Sequence, residues 1–384
     1  MPLSEIKEIG LKHWWISQQF ISRGLTPSAR MGHIVHSTNA TTGNLITRIT
    51  LWNITHRVGR STISTTSGIV PFPIPPTLIA LFHNSRDTLS GGPFGTGWSW
   101  PLDESITEEG GTLNCVHRDG SGAEYFYTSI GSGQFTSPAS MPTRLVKQAG
   151  QWYLLDKHAH TLRTFNSSGK IIEFTDANRN ICRIKRDGSN LITSVVNVRS
   201  DGTEGTIADD FAYTTGKLTQ FGLKAAGVLF KFAYTSGKLT TITLNDGTTI
   251  GLAYTGDKIN TVTDMRGKTT TFSTYDGSNR PTLITNSMSP AKTLVFVWDD
   301  VNKKVTVTDE RGAGFDQIFE RNNDTNYNLT KYTDPELKIQ QWTWNTTANL
   351  MLTHVNGRGF TRTLTWDTTN LTRSTETDYA SPAN

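Results

Sequence analysis

The sequence predicts an all-β protein, on three observations. Charged residues make up 18% of the 384 residues, against roughly 25% in an average globular protein, and 34 glycines stand among many threonines, serines and asparagines. Apolar and polar residues alternate in stretches such as Thr241-Ile242-Thr243-Leu244 and Lys304-Val305-Thr306-Val307-Thr308, the period of a strand with one buried face. Related segments recur at spacings of roughly 20 to 27 residues, the scale of a stacked supersecondary unit.

Three regions separate by pattern. In residues 1–42 the spacing of Leu3, Ile6 and Ile9, then Trp14, Trp15 and Phe20, suits an N-terminal extension with a short amphipathic helix interrupted at Gly10. Residues 43–164 predict irregular β structure. Pro71, Pro73, Pro75 and Pro76 exclude a central strand there, and Gly91-Gly92-Pro93-Phe94-Gly95-Thr96-Gly97 marks a bend before Trp98 and Trp100. Residues 165–384 form the repeat. Its clearest copies begin at Gly169-Lys170-Ile171, Gly216-Lys217-Leu218, Gly237-Lys238-Leu239 and Asp257-Lys258-Ile259, and drifted copies continue through Asn279-Arg280, Lys304, Asn328-Leu329, Asn349-Leu350 and Asn370-Leu371.

Each copy can be built as a hairpin. A strand ends on an aromatic residue: Tyr213, Tyr234, Tyr254, Tyr275, Trp298, Trp344 or Trp366. A tight turn follows, where Gly or Asn supplies a positive φ. A Lys-Leu-x-x-Val-Thr strand returns, and a second turn such as Asp264-Met265-Arg266-Gly267 or Asp309-Glu310-Arg311-Gly312 starts the next copy. Asp in first place accepts a backbone hydrogen bond from two residues on. Successive hairpins are expected to pair into one long, winding sheet.

At these residues the chain resembles the YD-repeat, or rearrangement-hotspot (RHS), family. Tyr275-Asp276-Gly277-Ser278-Asn279-Arg280 is close to the motif that names it, and Thr42-Gly43-Asn44-Leu45, Phe82-His83-Asn84-Ser85 and Phe94-Gly95-Thr96-Gly97-Trp98-Ser99 resemble the lead-in found before the repeats in bacterial members. The resemblance covers residues 43 to 384. It implies a spiral of stacked antiparallel hairpins forming part of a hollow shell, which in bacterial members encloses a toxic domain and in animal teneurins serves adhesion. The family's C-terminal core-associated motif is not matched, since Asp334-Pro335-Glu336-Leu337 shares only its first two residues, and no toxin domain follows Asn384. A truncated, partial or minimal shell is therefore expected.

The net charge of +4 is spread over intermixed acidic and basic residues, so nucleic-acid binding is not expected. Cys115 and Cys182 read as isolated thiols. No apolar run approaches the roughly 20 residues of a membrane-spanning helix, and the N-terminus lacks the form of a secretory signal. Asp176, Asp264, Asp276, Asp309 and Asp334 are read as turn residues, because equivalent repeated positions do not give an acid and a base different environments. His158 and His160 have the spacing of two ligands on one strand face, and His33 and His36 that of a helical face, but neither pair has a third ligand nearby. The glycine run from Gly91 matches no phosphate-binding motif. Asn53-Ile54-Thr55 and Asn370-Leu371-Thr372 fit a glycosylation pattern that Asn- and Thr-rich text produces by chance. No catalytic, cofactor-binding or metal-binding residue is expected. Trp342 and Trp344, like Leu364 and Trp366, share a strand face that is either packing or an exposed binding stripe. The expected function is a structural, encapsulating shell without chemistry of its own, exported or at the bacterial cell surface, with a toxin cargo or remaining shell segment as partner. The alternative is an adhesin-like surface that binds glycan or a cell-surface protein.

Overall fold

The structure is a computed structural model. It describes residues 15–18, 33–39, 43–53, 62–65, 68–71, 78–87, 92–367 (apart from 111–112, 139–140, 199–200, 224–226, 288–290, 313, 322–327, 346 and 348) and 372–380. Regular structure among them is antiparallel β, with a single 3-10 turn at Pro101–Asp103. The strands form four sheets. A five-stranded N-terminal sheet runs from Trp15–Gln18 through His33–Asn39, Leu45–Asn53 and Leu78–Asn84 to Trp98–Ser99. Thr62–Thr65 and Gly68–Pro71 make a separate two-stranded ribbon. An 11-stranded middle sheet extends from Ser105–Glu108 to Glu204–Ala208, and a 16-stranded C-terminal sheet from Asp210–Thr214 to Thr372–Ala380. In both large sheets strand order is chain order, so each is an unbroken series of hairpins.

Of the stretch expected to hold a short helix, only two segments are described. Trp15–Gln18 and His33–Asn39 are strands, paired respectively to and within the N-terminal sheet. In these two segments backbone pairing along the sheet sets the conformation. Leu3, Ile6, Ile9, Trp14 and Phe20 lie outside the described residues. Pro71 closes the two-stranded ribbon, and the other three clustered prolines are not described. Sheet continuity does not change at residue 165, which lies within the middle sheet; the sheets change between Ala208 and Asp210.

One core of buried side chains runs from Leu45 to Trp342. The repeat contributes through a β-bulge that explains its Leu-x-x-Val spacing. Residues three apart face opposite sides of a regular strand. In the hairpin of Val228–Thr235 with Lys238–Thr243, however, Tyr234 pairs with Leu239 and Ala233 with Thr241, leaving Thr240 as the extra residue. The bulge turns the strand by one residue, so Leu239 and Ile242 are both fully buried. The same shift occurs at Ala212/Tyr213, Ala253/Tyr254, Thr343/Trp344 and Thr365/Trp366. The middle sheet also curls onto itself. Ser105 bridges to Lys170, and the Ile106 N–H donates to Gly169 O at 2.8 Å, which covers the free edge of the first strand.

Candidate functional site: an aromatic ladder and a bracket across two sheets

At Tyr213, Tyr234, Tyr254, Tyr275, Trp344 and Trp366 the bulge sits at the aromatic residue of the unit, whereas Trp298 pairs with Val305 in unbroken register; in every case the side chain is aimed at the preceding hairpin or sheet. Between successive hairpins the backbone ladder is short. Strands Lys238–Thr243 and Thr249–Thr255 pair at Thr243–Thr249, Ile242–Ile250 and Thr241–Gly251, then separate. Past that point the Tyr254 hydroxyl donates to Leu239 O at 2.8 Å, replacing the lost backbone donor. The same staple recurs along the sheet. Tyr234 donates to Leu218 O (2.7 Å), Tyr275 to Ile259 O (2.8 Å) and Trp298 Nε1 to Pro281 O (2.9 Å). Trp344 Nε1 donates to Leu329 O (2.7 Å) and Trp366 Nε1 to Met351 O (2.6 Å), while Tyr213 reaches Ile192 O in the middle sheet (3.1 Å). Burial pushes the Tyr213 phenol up to about 12 and raises those of Tyr234, Tyr254 and Tyr275 as well, so each remains a donor. Lys238, Lys258 and Arg280 lie over the rings of Tyr254, Tyr275 and Trp298, adding a cation–π contact. The strand Gln317–Arg321 departs from this scheme. There Arg321 pairs with Asp300, which also accepts from Arg280, and the Arg280 hydrogen bond holds the Asp300 carboxyl down at about 2 against the effect of burial.

Residues 92–104 bracket the two large sheets. At one end Lys217 Nζ donates to Gly92 O (3.0 Å) and the Leu218 N–H to Pro93 O (2.9 Å), with the Tyr234 hydroxyl 3.1 Å from the same oxygen. Gly95 is required here for two reasons: its φ is +100°, and a Cβ would stand 2.9 Å from Gly237 O. In the middle, Phe94 packs edge-on against Phe232 and Trp100, and Trp100 against Phe221. Trp98 Nε1 donates to the Tyr254 hydroxyl at 3.1 Å. At the other end the middle sheet takes hold. Lys170 Nζ reaches Asp103 (3.2 Å) and Arg186 Nη2 donates to Leu102 O (2.8 Å). The buried Glu104 carboxylate lies 3.0 Å from Arg163 Nε and 3.2 Å from His117 Nε2. Burial alone would raise the Glu104 carboxyl, but Arg163 and His117 overcome it and hold it below its ordinary value.

The aspartates singled out in the sequence occupy tight turns. Asp264 Oδ1 accepts from the N–H groups of Arg266 and Lys268, Asp276 from Ser278 and Arg280, Asp176 from Asn178 and Asn180, and Asp334 from Glu336 and Lys338. Asp309 accepts from Arg311. The fourth turn residue is left-handed each time: Gly267, Asn279, Arg179, Leu337 and Gly312. His158 and His160 do not share a strand face. The chain turns between Asp156 and Thr161, His160 has φ +52° and both imidazoles are exposed. His36 is on a strand rather than a helix and is buried; the His33 side chain is not described. Trp342 is 6% exposed, and Trp344 and Trp366 are partly buried with their indole N–H groups bonded to carbonyls. Cys115 and Cys182 are buried free thiols, each pushed up to about 12 chiefly by burial. Among the described residues no group of three His, Cys, Asp or Glu side chains is placed to hold a metal ion, and no helix is long and apolar enough to cross a membrane.

The fold and this arrangement define an all-β protein of serially stapled hairpins. No family model matches the chain, and no curated protein matches it. Solved structures that match include the crystal structure of TcdB2-TccC3 without its hypervariable C-terminal region, at 12% identity over 86% of this chain and 20% of that chain, with a TM-score of 0.37. The crystal structure of TcdB2-TccC3-TEV matches at 13% identity over 86% and 18%, with a TM-score of 0.36. The Photorhabdus luminescens Tc holotoxin pore matches at 11% identity over 86% and 19%, with a TM-score of 0.27. The chain spans about a fifth of the length of these chains.

Proposed function

We propose that the chain is a structural wall element of an encapsulating shell, working within a bacterial toxin or surface-delivery system and contributing no chemistry of its own. The observation that carries this reading is the aromatic ladder, in which a side-chain donor locks hairpin after hairpin to the one before it, with the hairpin that starts at Gln317–Arg321 as the exception. A wall built this way can lengthen by repetition without a new core for each unit. The YD-like motif around Tyr275-Asp276 supports the same assignment. Trp342, Trp344 and Trp366, which an adhesin stripe would use, are buried or already bonded to carbonyls, which favours the wall over that alternative. The cargo is a polypeptide, and the protein acts outside the cytoplasm.

The test is limited proteolysis of the product of the intact reading frame that encodes this chain. Protection of an enclosed polypeptide, lost when Trp298, Trp344 and Trp366 are replaced by alanine, is the expected result. Equal protease sensitivity of that polypeptide with and without the stapled sheet would overturn the shell. Selective loss of a catalytic rate in Asp264→Asn or Asp309→Asn, with folding intact, would overturn the absence of chemistry.

A further inference from the structure

Two histidines are buried where the N-terminal sheet meets the repeat. His36, on His33–Asn39, is 5% exposed. Its Nδ1 lies 3.0 Å from Thr47 Oγ1, and its ring stands edge-on to Phe272 of the C-terminal sheet at 4.9 Å. His83, on Leu78–Asn84, is 2% exposed. Its ring is edge-on to Trp98 at 5.1 Å and to Tyr254 of the C-terminal sheet at 6.1 Å. The Nε2 atom of His83 has no hydrogen-bond partner among the described residues. Both imidazoles therefore serve as packing faces in one seam, next to rings of one partner sheet.

Neither has a free counter-charge. No charged side chain among the described residues acts on His36. The groups facing His83 are the Tyr254 hydroxyl, the Asp257 main chain and the carboxylates of Asp87 and Asp257. Arg118 already pairs with Asp87, and Lys238 with Asp257. His117, which is also buried, differs in having Glu104 against it. A proton arriving on His36 would be a buried charge without a partner among the described residues. One on His83 would meet only the Asp257 main chain and two carboxylates that already pair with Arg118 and Lys238, so burial outweighs them and opening is favoured.

We propose that this seam is an acid-sensitive latch, in which protonation of His36 and His83 releases the N-terminal sheet from the C-terminal sheet while the later hairpins stay paired. The ladder from Trp298 onward has its own staples and contains neither histidine. Burial lowers His36 to about 3 and His83 to about 4, with the two aspartates partly opposing it at His83. The open form thus binds protons more readily than the closed form. The closed seam has its full stability above the ordinary histidine value of about 6.5 and loses it progressively as pH falls below that value. At about pH 5 linkage raises the ratio of open to closed form by about 30-fold per histidine, or about 1000-fold for the two. The latch does not depend on what the sheets enclose.

Hydrogen exchange on the whole chain, corrected for intrinsic rates, tests this at near-neutral pH and about pH 5. Strands His33–Asn39, Leu45–Asn53 and Leu78–Asn84 should lose protection in acid by a factor approaching that ratio, while Lys304–Asp309 and Thr361–Asp367 keep theirs. The double variant His36→Gln, His83→Gln should remove the acid response, whereas His158→Ala with His160→Ala should leave it unchanged. Acid loss spread evenly over all sheets, no loss at all, or a response that survives the double variant would overturn the latch. Should the double variant fail to fold, the wild type decides alone. The logarithm of its opening constant should rise by about two per pH unit of acidification between about pH 6 and 4.5, and a slope near zero refutes the proposal.

Discussion

Trp344 shows what one residue does in this fold. Its ring packs against the core, and its indole N–H donates to Leu329 O where backbone pairing has ended. Two substitutions separate these roles. Trp344→Phe keeps most of the ring and loses the donor, so about 1 kcal/mol of stability should go, the usual worth of one hydrogen bond. Trp344→Ala removes the packing as well and should cost about 3 kcal/mol, the lower end for a large aromatic because the side chain is only partly buried. Denaturant unfolding of both variants measures the difference. Equal small losses would mean that the ring contributes no packing. The place of Trp344 at a strand end was legible in the sequence, because the repeat spacing is local. The target of its N–H was not, since the strands separate only when two hairpins are assembled. His158 and His160 failed for a related reason: a spacing of two has ligand geometry only on an extended strand, and the Asp156 carboxylate instead caps the N–H groups of His158 and Ala159 in a turn.

At the scale of the hairpin, turn chemistry was the most legible feature, because its hydrogen bonds close within four residues. Asn356 accepts from the N–H groups of Arg358 and Phe360 just as the aspartates do at their own turns. Asp264→Asn should therefore change stability by less than about 1 kcal/mol at neutral pH, whereas Asp264→Ala should cost about 1 kcal/mol or more. Acid distinguishes Asp from Asn. Burial opposes ionisation of Asp264, but hydrogen bonds from Arg266 and from the turn amides prevail, so its carboxyl lies below the ordinary value. That contribution is present above the unfolded carboxyl value of about 3.9 and is lost as pH falls through the lower folded value. Asp264→Asn should lack this acid-side loss in a pH series of melting temperatures. Two of these turns, at Arg179 and Leu337, place in the left-handed region a residue that does not favour it. Leu337 holds φ +63° where Gly267 and Gly312 stand in equivalent turns, and its side chain is 79% exposed. Leu337→Gly should therefore stabilise the protein by about 0.5 to 1 kcal/mol, since relief of the left-handed conformation exceeds the entropy cost of glycine. A lower denaturation midpoint would show that Leu337 makes a contact worth more than its strain. The opposite change, Gly169→Ala, should be severe, because a Cβ there would meet Ile106 O at 1.9 Å where the middle sheet closes on itself.

For the whole molecule, the question is what makes two sheets one body. They follow one another in the chain across Asp209, and the hydrogen bond from Tyr213 to Ile192 O spans the junction. The bracket adds contacts separated by more than a hundred residues, such as Lys217 with Gly92 and Tyr234 with Pro93. Contacts at that separation leave no period in the sequence, so the glycine cluster before Trp98 was legible as a bend but not as a dock. Trp100 is the residue to test, because it is fully buried between Phe94, inside the bracket, and Phe221, inside the C-terminal sheet. Two residues further on, Leu102 O is held by Arg186 of the middle sheet. Trp100→Ala should cost about 3 to 5 kcal/mol. If the bracket couples the sheets, that loss appears in both: hydrogen-exchange protection should fall together in Ile181–Arg186 and in Lys238–Thr243, within one unfolding transition at a lower temperature. If the sheets are stable independently, protection falls only in Lys238–Thr243 and melting splits in two. The first outcome makes the segment before the repeats a structural member of both sheets, and the second reduces it to a covering for the first hairpins of the C-terminal sheet.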